Sequence, residues 1–381
     1  MKPATLEFVR QRFGSYYHQG HLAVPPALQQ REWGFIFFDA HPAVRMRRHL
    51  GFTDREECLS YVRSMVPAHA YYSTAHYTNP GAATMGEKGW SGADLIFDID
   101  ADHLFTDLKG ITYDLMLARA KDETEKLLSM LTEELGFSRR TITLVFSGGR
   151  GYHVHVRDNR VLAWGSGERR EVVDYVCGTG IEPQYLLSAG HGGGWQKRFV
   201  SAMEEYAASL MEGGEAAARK KLCSLEGVGK TYADRFLSAL MAADTDFRRG
   251  EVPQAVLASP AMRALLSHDG GEVFTLLKAK GAAVDEPVST DIKRLIRMPT
   301  SLHGGSGLRV VEIPLKEFSA FDPLIDAVVF GDRTIKVDAA FNLTVPMLGN
   351  TYDLKKGANT VPEALAVYLC CRGIGEIGGG A

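Results

Sequence analysis

Leu95-Ile96-Phe97-Asp98-Ile99-Asp100 is the most informative stretch of this chain, because an apolar run ends there in two carboxylates two residues apart. Side chains alternate across a β-strand, so Leu95, Phe97 and Ile99 can face a core while Asp98 and Asp100 share the opposite face. Two neighbouring carboxylates repel each other, and burying both unpaired is costly. A divalent cation removes that conflict, and oxygen ligands suit Mg²⁺ or Mn²⁺. The pattern therefore indicates a metal site for phosphoryl chemistry.

The composition is typical of a globular protein and shows no membrane segment. The chain has 381 residues, of which 45% are hydrophobic and 23% are charged; this length suits one large domain or two ordinary ones. Because it has no run of about 18 apolar residues and no signal peptide at its start, we expect no membrane partner and a cytoplasmic location. The formal net charge of −3 leaves nucleic-acid binding open, since acidic regions elsewhere can balance a local basic groove.

The chain changes character twice along its length. Residues 1–159 combine apolar strands with an amphipathic helix near 113–135, and residues 160–280 resemble charged amphipathic helices separated by turns. Strand-like apolar runs return in residues 281–381, for example at 308–313. These patterns predict a mixed α/β (α+β) fold in which a mainly helical insertion subdomain separates the N-terminal and C-terminal parts of one catalytic core.

A second group of reactive residues follows a predicted strand, in the sequence Ser147-Gly148-Gly149-Arg150-Gly151-Tyr152-His153. The glycines predict a tight turn between two strands. A hydroxyl, backbone N–H groups, a guanidinium and an imidazole around one turn suit phosphate binding. The alternative is a glycine-rich hairpin with polar edges.

A third group lies between Asp285 and Gly307. Ser289 or Thr290 can cap a helix that has Asp291 in its first turn and ends before Pro299. Such a helix would gather Lys293, Arg294 and Arg297 on a basic face. The turn that follows carries His303. Arg297 and His303 are candidate triphosphate ligands, whereas Lys293 and Arg294 can be explained as solvated residues.

Together these three segments resemble the catalytic (small) subunit of archaeal and eukaryotic DNA primase. The matching pieces are residues 97–102, 147–153 and 285–307, with weaker similarity around Arg31-Glu32-Trp33. The resemblance implies a primase catalytic core of mixed sheets flanked by helices. It also implies a DNA-dependent RNA polymerase that makes short RNA primers on single-stranded DNA by two-metal nucleotidyl transfer. Use of deoxynucleotides as well as ribonucleotides stays open.

The resemblance also implies roles for individual residues. Asp98, Asp100 and Asp285 would be the catalytic metal ligands for Mg²⁺ or Mn²⁺. Asp285 is preferred to Asp291 because a place at a helix start explains Asp291 without catalysis. The implied nucleotide-binding residues are Ser147, Gly148, Arg150, His153, Arg297, His303 and, as a less secure match, Arg48.

The implied partners are a primase large subunit in a heterodimer, a single-stranded DNA template and nucleoside triphosphates. Many family members carry a zinc knuckle between the first two motifs. Residues 101–140 of this chain contain no cysteine, and His103 is their only histidine. We therefore expect no structural zinc knuckle.

Two other functions compete with the primase interpretation. A haloacid-dehalogenase-type phosphatase also begins with an apolar strand and DxD, but Asp102 stands where that scheme has Thr or Val, and the turn at 147–153 has no place in it. The other is a non-catalytic nucleic-acid-binding subunit. Separately, residues 225–236 suggest a P-loop, yet Ser224 replaces the required glycine. The segment is more similar to a helix-hairpin-helix turn or an ordinary helix turn.

Overall fold

Two four-stranded antiparallel sheets carry the segments that the sequence patterns single out. The structure is a computed structural model that describes residues 1–38, 45–105, 107, 110–188 and 193–378. The chain divides into two units. The core unit consists of residues 1–124, 137–171 and 284 onward, and the helical unit consists of residues 125–136 and 172–283.

The strands of the described chain are short, and all of them lie in the core unit. In chain order they are β1 (Trp33–Ile36), β2 (Met46–Leu50), β3 (His69–Ser73), β4 (Ala75–Tyr77), β5 (Trp90–Ala93), β6 (Leu95–Asp100), β7 (Ile142–Phe146), β8 (Gly151–Val156), β9 (Leu295–Arg297), β10 (Val311–Ile313), β11 (Thr334–Ala339), β12 (Leu343–Met347), β13 (Asn350–Leu354), β14 (Gly357–Pro362) and β15 (Gly375–Ile377).

The helices range from one turn to about five turns. In chain order they are α1 (Pro3–Gln19), α2 (Arg55–Met65), α3 (Tyr113–Ser129), α4 (Ser166–Cys177), α5 (Pro183–Ser188), α6 (Gly194–Met211), α7 (Gly214–Cys223), α8 (Lys230–Met241), α9 (Asp244–Arg248), α10 (Gln254–Leu257), α11 (Pro260–Leu265), α12 (Glu272–Ala279), α13 (Glu286–Thr290), α14 (Pro323–Asp326) and α15 (Glu363–Cys371). Together with the sheets, they confirm the predicted mixed α/β class.

The strand with the paired carboxylates is an edge strand. One sheet has the order β10-β7-β8-β6, and the other has the order β2-β1-β3-β9. In the first sheet Asp98 is opposite His153, and Asp100 is opposite Gly151. Phe97 and Ile99 are fully buried, as the alternation predicts, whereas the side chain of Asp98 is 20% exposed.

The helix predicted to begin at Ser289 or Thr290 is wrong. Asp285 instead precedes α13, which ends at Thr290, and the chain continues into β9. Pairing with β3, in which Tyr71 is opposite Arg297, decides this outcome. A strand in a sheet satisfies its backbone groups and buries Ile296, which overrides local helix propensity.

The helical unit has its own apolar core, formed by residues of α6, α7, α8, α11 and α12. Residues 130–134 continue α3 as a π-helical turn, and Gly136 beyond it has φ of +67°. The segment 225–236 forms the turn between α7 and α8 and the first part of α8. Each helix of the described chain is too short or too polar to traverse a bilayer.

Asp94 lies just before β6 and is the centre of a buried ionic network. Its carboxylate lies 2.8 Å from Nη2 of Arg31, 3.1 Å from Nε2 of His76 and 3.5 Å from Nε of Arg157. Burial by itself would raise the pKa of Asp94, but the hydrogen bond from His76 and the two arginine charges lower it well below its usual value. Arg169 donates to the Asp94 carbonyl oxygen at 2.8 Å.

We expect Asp94→Asn to lower the free energy of unfolding by about 3–5 kcal/mol, because the substitution leaves the buried Arg31 and the partly buried Arg157 without their counter-charge. Urea unfolding at pH 7 measures this change. The exposed Asp332 supplies a control, since Asp332→Asn should cost less than about 0.5 kcal/mol.

The contribution of Asp94 also has a defined pH dependence. Because the pKa is lower in the folded chain than in the unfolded one, the stabilisation is complete above the ordinary carboxyl pKa and is lost as the pH falls towards the folded value. Equal unfolding free energies for Asp94→Asn and Asp332→Asn at pH 7 would contradict the network's role.

Candidate active site

Most of the predicted site residues line one cavity of about 400 Å³ in the core unit. Strands β3, β6, β8 and β9 contribute to it, together with the turns after β7 and β9. Its lining residues are Tyr71, Asp98, Asp100, Ser147, Gly149, Arg150, His153, Arg294, Leu295, Ile296, Arg297, His303, Gly305, Ser306 and Arg372.

Asp98 and Asp100 repel each other, as the sequence pattern predicts. Burial, followed by the charges of Asp100 and Asp285, raises the pKa of Asp98 to about 7, although Arg294 and Arg297 act in the opposite direction. Asp98 Oδ1 lies 3.5 Å from Nε2 of His153. The unfavourable charge density at Asp98 is what a bound cation would relieve, so these residues fit a divalent metal.

The charge of Asp285 acts on Asp98 and that of Asp291 does not, although neither residue lines the cavity. The backbone N–H of Asp285 donates to the Asp98 carbonyl oxygen at 2.8 Å, and its charge acts on Asp98. Asp291 is exposed at the end of α13, where its side chain accepts from the Lys293 N–H at 2.8 Å. The reason for rejecting Asp291 was wrong, since it does not begin a helix, but its position supports the same preference.

Within the described residues, no group of three or more His, Cys, Asp or Glu side chains forms a ready metal-binding cluster. The metal assignment of Asp98, Asp100 and Asp285 therefore rests on their mutual repulsion and on the oxygen chemistry of the donors.

The turn at 147–151 is built by close approaches that only glycine permits. Gly148 has φ of +73°, and a Cβ there would lie 2.8 Å from Cβ of His303. A Cβ at Gly151 would lie 1.7 Å from the Ile99 carbonyl oxygen. Ser147 Oγ accepts from the Gly149 N–H at 3.2 Å. Gly148 itself does not line the cavity, so its place in the site is to shape the turn.

Arg150 is held beside β6, the strand of Asp98 and Asp100. Its Nε lies 3.8 Å from Asp100 Oδ1, and its Nη2 is paired with Asp102. Asp102, whose role the sequence leaves open, also donates its N–H to Asp100 Oδ1 at 3.1 Å. The guanidinium is one-third exposed in the cavity, so it can still reach a phosphate.

His69 was not predicted, yet it joins two predicted ligands. Its Nδ1 lies 2.8 Å from Arg297 Nη1 and 3.3 Å from the Gly304 N–H. Because both partners can only donate, Nδ1 must accept, and the ring carries its proton on Nε2. The imidazole rings of His69 and His303 pack edge to face, with their centroids 4.9 Å apart. No local motif marks His69, because its partners lie more than 220 residues away along the chain.

The imidazoles around the cavity are neutral at physiological pH. Burial, followed by the charge of Arg297, lowers the pKa of His69 to about 3. Burial, Arg297 and Arg294 lower that of His153 to about 3. The pKa of His303 is also well below its usual value, for the same first two reasons. These rings therefore offer hydrogen bonds to a ligand, and the arginines supply the positive charge.

Arg48 is not brought into this cavity. Its guanidinium pairs with the buried Glu32, with Nε 3.0 Å from Oε1 and Nη2 3.4 Å from Oε2. Lys88, fully buried, lies 3.8 Å from the same carboxylate. Glu32 therefore explains the position of Arg48 without a nucleotide.

Four polar or charged side chains that line the cavity are not among the predicted site residues: Tyr71, Arg294, Ser306 and Arg372. Arg297 lies over the ring of Tyr71, with Cζ 5.0 Å from the centroid. Ser306 Oγ donates to the Gly148 carbonyl oxygen and so joins the two turns. Arg294 and Ser306 lie in the third segment, at 285–307, but Arg294 had a solvated alternative and Ser306 was not singled out.

A larger cavity of about 590 Å³ in the core unit has different chemistry. Apolar residues such as Leu115 and Phe321 line it. Its lysine, Lys121, already donates to the carbonyl oxygens of Ser319 and Phe321 at 2.7 and 3.0 Å. The smaller cavity, with its carboxylates and arginines, is the better candidate for phosphate chemistry.

Comparison with known proteins identifies the family. A family model described as DNA primase small subunit matches residues 97–315, which is more than half of the chain. The chain belongs to the DNA primase small-subunit family. The resemblance inferred from the three sequence motifs is therefore confirmed.

Full-length relatives agree with this match. The chain is 54% identical over 382 residues to DNA primase small subunit PriS of Methanosphaerula palustris, with 100% of both chains covered. It is 55% identical over 378 residues to the protein of the same name from Methanoregula boonei, covering 99% of this chain and 100% of that one. For Methanocorpusculum labreanum the identity is 49% over 385 residues, with 100% of both covered.

We expect Asp98→Asn to stabilise the metal-free chain at pH 8 by roughly 1–3 kcal/mol. The folded pKa of about 7 exceeds the ordinary carboxyl pKa, so ionised Asp98 opposes folding above pH 7, and the amide removes that cost. Near pH 4 the difference should shrink, because Asp98 is then protonated in the folded chain. Urea unfolding in a chelator-containing buffer measures both values.

The matched control for this experiment is Asp291→Asn, since Asp291 is exposed and should change stability by less than about 0.5 kcal/mol. A loss of stability in Asp98→Asn at pH 8 would show that Asp98 is not electrostatically strained.

Proposed function

We propose that this chain makes short RNA primers on single-stranded DNA by metal-assisted nucleotidyl transfer in the 400 Å³ cavity. The observation that carries the proposal is that Asp98 and Asp100, which repel each other, line the same cavity as several arginines. Membership of the DNA primase small-subunit family supports the reaction. Deoxynucleotides are a second candidate substrate class, which the synthesis assay compares with ribonucleotides.

In this proposal Asp98, Asp100 and Asp285 hold Mg²⁺ or Mn²⁺. When bound there, divalent cations would lower the pKa of the attacking 3′-hydroxyl and stabilise charge on the pyrophosphate leaving group. The carboxylates must be ionised to bind a cation, so the raised pKa of Asp98 makes metal affinity fall as the pH drops below about 7.

The remaining residues bind and orient the nucleotide. Arg150 and Arg297 supply guanidinium groups for the phosphate oxygens. Neutral His153 and His303 add hydrogen bonds, and Ser147 contributes its hydroxyl. Arg297 is oriented by His69 and Tyr71, which limits the motion lost on binding. Base pairing to the template selects the nucleotide, so the chain does not need to recognise a sequence.

The two competing functions receive no support. A phosphatase of the haloacid dehalogenase type has no use for the turn at 147–153, which lines this cavity with Ser147 and Arg150. A non-catalytic nucleic-acid-binding subunit would not need the strained pair Asp98 and Asp100. Family membership favours the enzyme over both alternatives.

Partners follow from the family. The small subunit of a DNA primase implies a DNA template and a primase partner. We propose that the partner is the large subunit in a heterodimer, and that contacts to the template backbone make template binding weaken as salt increases. The same proposal includes no structural zinc knuckle.

We expect Asp98→Ala and Asp100→Ala each to abolish primer synthesis, because either change removes a metal ligand while sparing the fold. The assay measures synthesis on single-stranded DNA with ribo- or deoxynucleotides, with Mg²⁺ or Mn²⁺, for the chain alone and with the large subunit. Retained synthesis in either folded variant would contradict the two-metal assignment.

The third metal ligand can be tested by replacing Asp285 and Asp291 one at a time by alanine. We expect Asp285→Ala to reduce synthesis by at least 100-fold, whereas Asp291→Ala leaves it within about twofold. The reverse order of effects would assign the third carboxylate to Asp291.

We expect Arg297→Ala to raise KM for the nucleotide about 10- to 100-fold, since a charge-assisted contact is worth roughly 1.5–3 kcal/mol. Steady-state kinetics on a primed template measure it. Arg48→Ala serves as the comparison: a similar rise in KM would restore Arg48 as a triphosphate ligand, and an unchanged KM in Arg297→Ala would remove Arg297 from that role.

A further inference from the structure

We propose that Arg372, contributed by the C-terminal end of α15, binds the triphosphate of the incoming nucleotide. The inference rests on the proposed function and extends it to a residue outside the sequence motifs. Arg372 also lies beyond residues 97–315, the part that the family model matches.

The position of Arg372 connects it to the phosphate-binding turns. It lines the same cavity as Asp98, Arg150 and His303. Its charge, like that of Arg150, contributes to the lowered pKa of His303, which means that it lies within electrostatic range of this turn. A group bound between the two turns would therefore be within reach of the Arg372 charge.

Aromatic neighbours hold the guanidinium in place. Its Cζ lies 5.0 Å from the ring centroid of Tyr113, and its side chain hydrogen-bonds to Tyr368. Tyr113 in turn donates its hydroxyl to the Gly149 carbonyl oxygen in the phosphate-binding turn. The rings of Tyr113 and Tyr368 are 5.6 Å apart. Through Tyr113, the position of Arg372 is tied to the turn itself.

The charge of Arg372 has no acidic partner among the described residues. Of the other three cavity arginines, Arg150 is paired with Asp100 and Asp102, and Arg297 is hydrogen-bonded to His69. Arg294 is exposed, like Arg372, and also has no ion pair among the described residues. Arg372 contacts aromatic groups and is exposed. An uncompensated guanidinium at the edge of a phosphate-binding cavity attracts an anion, and the planar fork of arginine suits phosphate oxygens.

A binding experiment on the full-length chain separates the triphosphate from other anions. We expect Arg372→Ala to weaken GTP binding about 5- to 20-fold in the presence of Mn²⁺. Inorganic tripolyphosphate should lose a similar factor as a competitor, whereas GMP binding should stay within twofold. Arg372→Lys should recover part of the loss, because it keeps the charge without the fork.

Arg333→Ala is the matched control, because Arg333 is an exposed arginine of the core unit that does not line the cavity. It should leave GTP and tripolyphosphate binding unchanged. Thermal unfolding of each variant checks that the fold is intact. Arg372→Ala should unfold at nearly the same temperature as the wild type, because the side chain of Arg372 is exposed.

Two results would overturn the inference. One is GTP binding by Arg372→Ala within twofold of the wild type. The other is a loss of single-stranded DNA binding with GTP binding intact, which would assign Arg372 to the template. If Arg372→Ala loses GTP and tripolyphosphate binding but the wild type makes no primers, the proposed function fails while the assignment of Arg372 stands.

Discussion

The buried carboxylate of Asp94 is the interaction on which the arrangement of the core unit depends. It receives Arg31 from the segment before β1 and Arg157 from the residue after β8, and it lies directly before β6. Arg157 also donates to the hydroxyl of Tyr72 in β3. A buried charge must be paired, so this network joins the two sheets at the point where β6 starts. Asp98, four residues further on, is then about 13 Å away along the strand.

From that starting point, strand pairing determines which groups share the cavity. In one sheet Asp98 is opposite His153, and in the other Tyr71 is opposite Arg297. Carboxylates that repel each other and guanidinium groups that are only partly neutralised meet in one space. Each set of like charges repels itself, although Arg294 and Arg297 attract Asp98, and the packed sheets hold both sets together. In the proposed reaction, a nucleotide bound with divalent cations would complement both sets of charges.

Local sequence patterns were sufficient where a single segment carried both the structure and the chemistry. The strand of Asp98 and Asp100 and the glycine turn around Arg150 are short, and alternation and glycine content describe them fully. The pattern failed at residues 289–298, where charges at helical spacing suggested a helix. The chain there forms β9, because β3 offers backbone hydrogen bonds. This pairing depends on a strand far away along the chain, so the local sequence at 289–298 does not predict it.

The same distinction explains the residues that sequence inspection missed. His69 and Arg372 belong to no motif. His69 joins the site through Arg297, and Arg372 lies against the ring of Tyr113, which is also distant along the chain. The sequence by itself indicated the class of chemistry, since the types and spacing of residues at 98–100 and 147–153 are typical of metal-assisted phosphate transfer. Only the tertiary structure decided which arginines lie near Asp98 and Asp100 and which histidines stay neutral, because charge balance and desolvation depend on neighbours in space.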